Sequence, residues 1–315
     1  MKFDKAIIPH LWFDSQAVEA AEFYCSLFPD SGIISKSVIK ETPSGDCDRL
    51  SFVIWGQKFE AVSAGPYCAL NPSISLMINF DPLFFQDCKN PEKAARDKLS
   101  GIWSQLRDGG RTLLELGEYD FSKFYGWVQD RYGLTWQLIL TDPGGDPRPP
   151  VMPSFLFVGD NCGRAEEAGR FYQSIFPSSK EGMTVHYSAG MEPDSEDTVM
   201  FSDFQLGETW LTAADSAFNH QFRFNEALSL IIPCQDQDEI NYFWNALSAV
   251  PEAEQCGWLK DKYGVSWQVV PQDLHNMIAE GNDNQKRAVT KAFLKMKKFN
   301  LAELHRAFEE QRSSS

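Results

Sequence analysis

A stretch near the middle of the chain recurs close to its end. Residues 125–140 read YGWVQDRYGLTWQLIL and residues 256–271 read CGWLKDKYGVSWQVVP. The identical pairs are Gly126/Gly257, Trp127/Trp258, Asp130/Asp261, Tyr132/Tyr263, Gly133/Gly264, Trp136/Trp267 and Gln137/Gln268. Agreement of this kind at one fixed offset indicates an internal repeat, and a repeat constrains the fold of the whole chain.

The repeat extends backward through both halves. Residues 7–31 correspond to 151–179, with pairs such as Tyr24/Tyr172, and residues 71–80 correspond to 225–234. A length of 315 residues also favours two domains. Between the copies, a segment dense in Gly and Pro cannot continue a strand or a helix. The predicted units are domain 1 (1–140), a linker (141–150), domain 2 (151–272) and a C-terminal helical extension (273–315).

Each half contains a shorter repeating order of strands and helices. In the first half, apolar residues at spacings of three and four predict a helix over 16–28, and Pro29 ends it. The remaining predicted elements are strands at 7–13, 32–40, 49–55, 58–63, 74–80, 111–116, 124–129 and 134–140, and a helix at 92–107. The pattern is β-α-β-β-β written twice per half. It predicts the α+β class, with helices alone after residue 272.

Composition excludes several classes of partner. The net charge of −15 argues against non-specific binding to nucleic acid and against docking on anionic membranes. No apolar run reaches the roughly 20 residues that span a bilayer, and the N-terminus has no signal-peptide pattern. The seven cysteines lie far apart without a Cys-x-x-Cys spacing, which favours free thiols over a zinc site or disulfides. We therefore expect a cytoplasmic protein.

Three stretches together resemble one known family. They are PHLWFDSQAVEAAEFYCSLFP, a mid-domain Gly-Pro followed by NPSIS, and CGWLKDKYGVSWQVVP. They are similar to the PhnB-like, 3-demethylubiquinone-9 3-methyltransferase domain family of the vicinal-oxygen-chelate superfamily, which includes glyoxalase I, extradiol dioxygenases and bleomycin-resistance proteins. The resemblance covers residues 5–140 and 151–271. It implies tandem glyoxalase-like domains in which paired βαβββ modules curl a mixed sheet into a cup, and it leaves open which strands pair in each cup.

The resemblance also implies where a metal would bind. Superfamily members take ligands from the first and last strands of each module. In the first half these positions hold His10, Glu60, Ser73 and Gln137, so His10, Glu60 and Gln137 are the candidate ligands for one Zn²⁺, Ni²⁺, Fe²⁺ or Mn²⁺. In the second half, the same positions are expected to hold Ser154, Leu211, Ala227 and Gln268, a set without metal-binding capacity.

Each candidate has a structural alternative. His10 is either a metal ligand or a hydrogen-bonded core imidazole, and Glu60 is either a ligand or a solvated strand residue. The two glutamines recur in both halves, including the one that lacks ligands, which favours a structural hydrogen bond. Trp136 and Trp267 are expected to pack in the core. The other four histidines are scattered, and we assign them no role.

Three functions remain open. The favoured one is a metal-free protein that binds a small aromatic or oxygen-bearing molecule in a cup walled by Trp12, Phe59 and Trp210, with Gln137 or Gln268 orienting a polar ligand atom. The alternative is a divalent-metal-dependent lyase, isomerase or oxygenase of the glyoxalase type. The third is an interaction scaffold, and a homodimer is left open. The sequence contains no glycine-rich strand-to-helix turn that would support the methyltransferase of the family's name.

Overall fold

The first half of the chain follows the predicted order of elements. The computed structural model describes residues 3–311, so positions 1–2 of the predicted first domain and 312–315 of the predicted extension lie outside the described residues. The first module contains β1 (Ile8–Phe13), α1 (Ala17–Leu27), β2 (Gly32–Thr42), β3 (Gly45–Ile54) and β4 (Gln57–Ser63). The second contains β5 (Ile74–Phe80), α2 (Pro91–Arg107), β6 (Arg111–Tyr119), β7 (Ser122–Gln129) and β8 (Thr135–Leu140).

The second half repeats this order with one strand fewer. The third module contains β9 (Val151–Val158), α3 (Ala165–Ile175), β10 (Lys180–His186), β11 (Val199–Leu206) and β12 (Thr209–Ser216). The fourth contains β13 (Leu228–Cys234), α4 (Gln237–Leu247), β14 (Trp258–Lys260) and β15 (Ser266–Pro271). A short 3₁₀ turn at Pro251–Ala253 stands where β6 would recur. The fourth module therefore has one strand fewer than the four complete β-α-β-β-β modules that were expected.

Each sheet combines strands from both halves of the sequence. The seven-stranded sheet has the order β14-β15-β13-β1-β4-β3-β2, and the eight-stranded sheet has the order β10-β11-β12-β9-β5-β8-β7-β6. The first module thus pairs with the fourth through β1 and β13, and the second pairs with the third through β5 and β9. Both central pairs are antiparallel. The α+β class and the mixed sheets are as predicted, and the question of which modules share a sheet is settled by this crossed pairing.

The helices hold the two modules of each half together. In the first half, Tyr24 of α1 meets Trp136 of β8, with ring centroids 5.0 Å apart, although α1 packs on the seven-stranded sheet and β8 belongs to the eight-stranded one. In the second half, Tyr172 of α3 meets Trp267 of β15 at 5.3 Å. Both tryptophans are fully buried, as expected. Each half therefore has its own tyrosine–tryptophan contact within one continuous apolar core, while the sheets join the halves to each other.

A buried aspartate explains the repeated sequence. Asp130 Oδ1 accepts hydrogen bonds from the backbone N–H of Tyr132 (2.8 Å) and Leu134 (3.1 Å), and Oδ2 accepts from Trp136 Nε1 (2.8 Å). Asp261 makes the same three contacts at 2.8, 3.1 and 2.8 Å, to Tyr263, Val265 and Trp267. Both turns need a left-handed residue, which Gly133 and Gly264 supply with φ of +92° and +84°. We call this arrangement the aspartate clamp.

The two clamps differ by one hydrogen bond. The Tyr172 hydroxyl donates to Asp261 Oδ2 at 2.7 Å. The Tyr24 hydroxyl is equally buried and acts on Asp130, lowering the pKa of that carboxyl, but within residues 3–311 it forms no hydrogen bond of ordinary length and angle. Burial raises the pKa of Asp130 to about 6, against the opposing effects of Trp136, Tyr24 and the backbone N–H groups. The first-half clamp is therefore less completely satisfied than the second.

The C-terminal helices cover one face of the seven-stranded sheet. They are α5 (Gln272–Glu280), α6 (Asp283–Phe293) and α7 (Leu301–Glu310). Their buried side chains form a separate apolar cluster that reaches Val270 of β15 and Ile39 of β2. The extension thus packs on the second half, as predicted, and on an edge strand of the first half as well. None of the helices described between residues 3 and 311 combines the length and apolar character needed to cross a membrane.

The clamps provide a matched pair of substitutions. Tyr172→Phe removes a donor from the buried Asp261 carboxylate and should lower the free energy of unfolding by about 1–2 kcal/mol. Tyr24→Phe removes only a weaker contact to Asp130 and should lower the free energy of unfolding by less than Tyr172→Phe does. Urea unfolding of both variants beside the wild type measures the difference. Equal losses in the two variants would contradict the asymmetry of the clamps.

Candidate functional site

A large cleft lies between the seven-stranded sheet and the C-terminal helices. Its volume is about 1090 Å³. Alternate residues of the strands line it, such as Ile8, His10 and Trp12 on β1, because side chains two apart share one face of a strand. The intervening residues face α1 and α4. We call this cavity the main cleft.

A row of polar side chains crosses the floor of the main cleft. His10 is the register partner of Glu60 on β4 and of Ser229 on β13. Ser51 on β3 is the partner of Glu60 on its other side, but it does not line the main cleft. At the far end, Gln268 Nε2 of β15 donates to Ser229 Oγ at 2.9 Å. Strands that begin 220 residues apart along the chain, at Ile8 and Leu228, thus assemble one site through β1–β13 pairing.

An arginine neutralises the carboxylate in this row. Arg49 Nη2 lies 2.7 Å from Glu60 Oε2 and donates to His275 Nδ1 at 3.2 Å. His275 Nδ1 is also 3.8 Å from Glu60 Oε1. Burial opposes ionisation of Glu60, but Arg49, with help from His10 and His275, holds the pKa of this carboxyl below its ordinary value. Glu60 is therefore an ionised carboxylate already paired with a cation.

His10 is a neutral imidazole with an unused nitrogen. Only 6% of the residue is exposed, and its ring packs edge-on against Trp258 with centroids 5.4 Å apart. Burial lowers the pKa of His10 to about 4, against the opposing effect of Glu60. In the described part of the chain, Nδ1 has no hydrogen-bond partner. A buried polar atom of this kind is costly unless something bound in the cleft satisfies it.

Family comparison agrees with the repeat. The family model described as 3-demethylubiquinone-9 3-methyltransferase matches residues 5–139 and again residues 150–270. The chain belongs to this family. No curated protein matches it.

Two solved structures illustrate the family and its fold. A PhnB protein from Bacillus cereus shares 30% identity with this chain, covers 44% of it and is itself covered completely, with a TM-score of 0.36. A variant of glyoxalase I from Zea mays shares 11% identity, over 86% of this chain and 97% of that chain, with a TM-score of 0.51. At that identity the likeness concerns the fold alone, and function has to be argued from the site.

The donors of the main cleft do not fit the divalent metal that the superfamily implies. Glu60 is held by a guanidinium, whose charge would repel a second cation at the same oxygens. The positions on β13 and β15 carry Ser229 and Gln268, which are hydrogen-bonded to each other. Within residues 3–311, no group of three or more His, Cys, Asp or Glu side chains converges on a point. We therefore derive no chemistry through a metal.

Four of the candidate residues from the sequence lie together. His10, Trp12, Glu60 and Gln268 all line the main cleft. Trp12 packs edge-on against Trp258 at 6.1 Å and donates through Nε1 to the Gly65 carbonyl at 2.8 Å. These contacts fix the Trp12 indole as one wall of the main cleft.

Two candidate aromatic residues lie elsewhere. Phe59 is fully buried and stacks on Phe52 at 5.5 Å, because it alternates with Glu60 and so faces α1 rather than the cleft. Trp210 is on β12 of the eight-stranded sheet, where the Arg148 guanidinium lies 3.8 Å from its ring. The expectation that both would wall one cup with Trp12 is corrected by these placements.

Gln137 also lies in the other sheet. Its Nε2 donates to Ser75 Oγ (2.6 Å) and Ser154 Oγ (3.1 Å), and its Oε1 accepts from the Tyr125 hydroxyl (2.9 Å). The structure therefore does not bring Gln137 to His10 and Glu60, and Gln268 occupies the corresponding place beside them. Crossed pairing of the modules is the reason.

The observed strand register moves three of the expected ligand positions by one or two residues. Ser154 pairs with Thr212 and with Ser75, as His10 pairs with Glu60 and Ser229. The equivalents of the ligand positions are therefore Thr212, Ser75 and Ser229, in place of the expected Leu211, Ser73 and Ala227. Leu211 and Ala227 are fully buried instead. The eight-stranded sheet carries only hydroxyls and one amide at these positions.

Sequence reasoning missed Arg49, Trp258 and His275. Arg49 and His275 are separated by 226 positions, so no local spacing joins them. His275 belongs to α5, outside the repeat, which is why comparison of the two halves did not reveal it. Trp258 was visible as a repeated residue, but its position over His10 depends on the order of strands in the sheet.

The buried ion pair can be tested by a double-variant cycle. Arg49→Met leaves Glu60 buried without its cation and should lower the free energy of unfolding by about 3 kcal/mol. Adding Glu60→Gln removes the uncompensated charge and should restore most of that loss. Denaturant unfolding of the two single variants and the double variant gives the coupling energy. Simple additivity of the two losses would show that the pair does not act as described.

Stability at acid pH tests the neutral state of His10. The folded pKa is about 4 and the ordinary value is 6.5, so below pH 6.5 the unfolded chain takes up a proton that folded His10 does not. Above pH 6.5, His10 does not lower the free energy of unfolding. As the pH falls from 6.5 toward 4, this free energy decreases by up to about 1.4 kcal/mol per pH unit. His10→Asn should flatten the wild-type decline between pH 6.5 and 5, measured by urea unfolding. Identical slopes for the two proteins would rule out this origin.

Proposed function

We propose that the chain binds a small aromatic or oxygen-bearing molecule in the main cleft, without a metal and without methyl transfer. The observation that carries the proposal is the polar row itself. Its carboxylate is already neutralised by Arg49, while the buried Nδ1 of His10 lacks a partner. Such a row offers fixed hydrogen-bonding groups to a ligand rather than a vacant place for a cation.

The walls of the main cleft support an aromatic ligand. Trp12 and Trp258 stand beside the polar row, and Val270, Phe293 and Phe299 contribute apolar surface from β15 and the C-terminal segment. A volume of about 1090 Å³ accommodates a molecule of drug-like size. In this arrangement the indoles contact the face or edge of the ligand ring, and His10 contacts a ligand oxygen or N–H group.

The absence of methyl transfer is part of the same proposal. The sequence contains no Gly-x-Gly, so it lacks the glycine-rich strand-to-helix turn that brings backbone close to a nucleotide-like cofactor. The cysteines that line the main cleft, Cys47, Cys68 and Cys256, are free thiols. Burial raises the pKa of Cys68 to about 12 and raises that of Cys256, so neither is activated as a nucleophile.

The test is ligand binding by chelator-treated, full-length protein. Duroquinone and 1-naphthol are suitable probes, since the fully substituted quinone does not alkylate thiols. We expect saturable quenching of tryptophan fluorescence and an increase in Tm without added metal. His10→Ala should weaken binding about tenfold, the effect of losing one hydrogen bond in a buried site.

The repeated glutamines supply the matched control. Gln268→Ala alters the end of the polar row and should weaken binding, whereas Gln137→Ala alters the eight-stranded sheet and should not. Stabilisation only after Zn²⁺, Ni²⁺, Fe²⁺ or Mn²⁺ is restored would instead support the metal-dependent enzyme. No response to either probe under any condition would count against a small-molecule cleft.

A further inference from the structure

A second, smaller cavity lies on the other side of Arg49 and His275 from the main cleft. Its volume is about 290 Å³, and its lining includes Ser35, Ser37, Arg49, Ser51, His275 and Lys286. These residues come from β2, β3, α5 and α6, so the cavity exists only because the C-terminal helices pack over the edge of the seven-stranded sheet. We call it the minor cavity.

The minor cavity is basic although the protein is strongly acidic. Its lining contains Arg49, Lys286, Lys36 and no Asp or Glu, in a chain of net charge −15. The ammonium of Lys36 pairs with Glu22 and the guanidinium of Arg49 pairs with Glu60, which leaves Lys286 as the cation of this lining without a carboxylate partner in residues 3–311. Lys286 is half-buried and forms no ion pair with any residue in 3–311. Its neighbour Arg287 pairs with Glu41.

The donors of the minor cavity are incompletely used. Ser51 is 2% exposed, and its Oγ has no hydrogen-bond partner in the described chain. Its register partner Ser35 lines the same cavity, so both serines face it. Arg49 makes both of its contacts, to Glu60 and His275, through Nη2. Between residues 3 and 311 its Nε and Nη1 form no hydrogen bond, and they remain available to an acceptor.

We propose that the minor cavity binds a phosphate-type oxyanion, held by Arg49, Lys286 and Ser51. A guanidinium, an ammonium and a hydroxyl present donors from three directions, which suits a small tetrahedral anion with several acceptor oxygens. The pairing of Arg49 with Glu60 leaves Lys286 to supply the uncompensated charge. The anion is either inorganic phosphate or the phosphate group of a larger molecule whose apolar part reaches the main cleft past Arg49.

Calorimetric titration of the full-length protein with sodium phosphate tests the proposal. In a phosphate-free buffer of about 0.15 M ionic strength, where the Debye length is about 8 Å, we expect one saturable site per chain. Lys286→Ala should weaken phosphate binding about tenfold, and Ser51→Ala should weaken it about fivefold, since hydrogen bonds to a charged group are stronger than neutral ones. Neither residue lines the main cleft, and Ser51→Ala removes no existing hydrogen bond.

Arg287→Ala is the matched control. It removes one positive charge from the adjacent position of α6, where the side chain lies outside the minor cavity. Phosphate affinity should change less than about twofold, because a solvent-exposed charge is screened. Equal weakening by Lys286→Ala and Arg287→Ala would overturn the proposal in favour of general electrostatic attraction. Absence of saturable phosphate binding to the wild type would overturn it directly.

A second titration, with 1-naphthyl phosphate, separates the two sources of the anion. Binding tighter than that of both inorganic phosphate and 1-naphthol, weakened by Lys286→Ala, would show one ligand occupying both cavities. Equal affinity for inorganic phosphate and the naphthyl ester would show an independent anion site. Phosphate binding with no binding of 1-naphthol would support the minor cavity while contradicting the function proposed for the main cleft.

Discussion

The fold depends on two buried carboxylates. Each aspartate clamp fixes a tight turn through backbone hydrogen bonds and holds the indole N–H of the tryptophan that follows. That tryptophan packs against the helix of the preceding module. One side chain therefore sets the direction of the last strand and the distance between two layers. An unpaired carboxylate at this depth would be strongly unfavourable, so the turn, the glycine and the tryptophan are all required together.

This requirement is why the repeat was visible in the sequence. Three of the identical pairs, Asp130/Asp261, Gly133/Gly264 and Trp136/Trp267, are those that the clamp needs. At Leu134/Val265 the clamp uses only the backbone N–H, and there the two copies differ. Elements such as β5 and α2 were also predictable, because strand and helix periodicity are local properties. The crossed pairing of modules could not be predicted. β1 meets β13 through contacts between distant parts of the chain, and neither strand's sequence identifies the strand it pairs with.

The functional site shows the same division between local features, which the sequence predicts, and long-range contacts, which it does not. The family resemblance placed His10 and Glu60 together, and they are indeed register partners within one βαβββ module. Phe59 was misplaced because a shift of one residue along a strand reverses the face that a side chain occupies. Arg49, His275 and Lys286 form their arrangement only after α5 and α6 pack on β2 and β3, and no sequence spacing encodes that contact. The C-terminal extension, which lies outside the repeat, supplies His275 and Lys286. It thus contributes much of the polar surface that the two repeated halves lack.

Crossed pairing has a consequence for how the two cups could diverge. An assembly of two identical halves related by a twofold axis would carry the same side chains in both cups, and a change in one would appear in the other. Here the halves are covalently joined, so the strand that contributes His10 and the strand that contributes Ser154 are encoded separately. One cup could acquire an ion pair and a helical cover while the other kept a set of hydroxyls. The fused chain thereby escapes the symmetry that its architecture would otherwise impose.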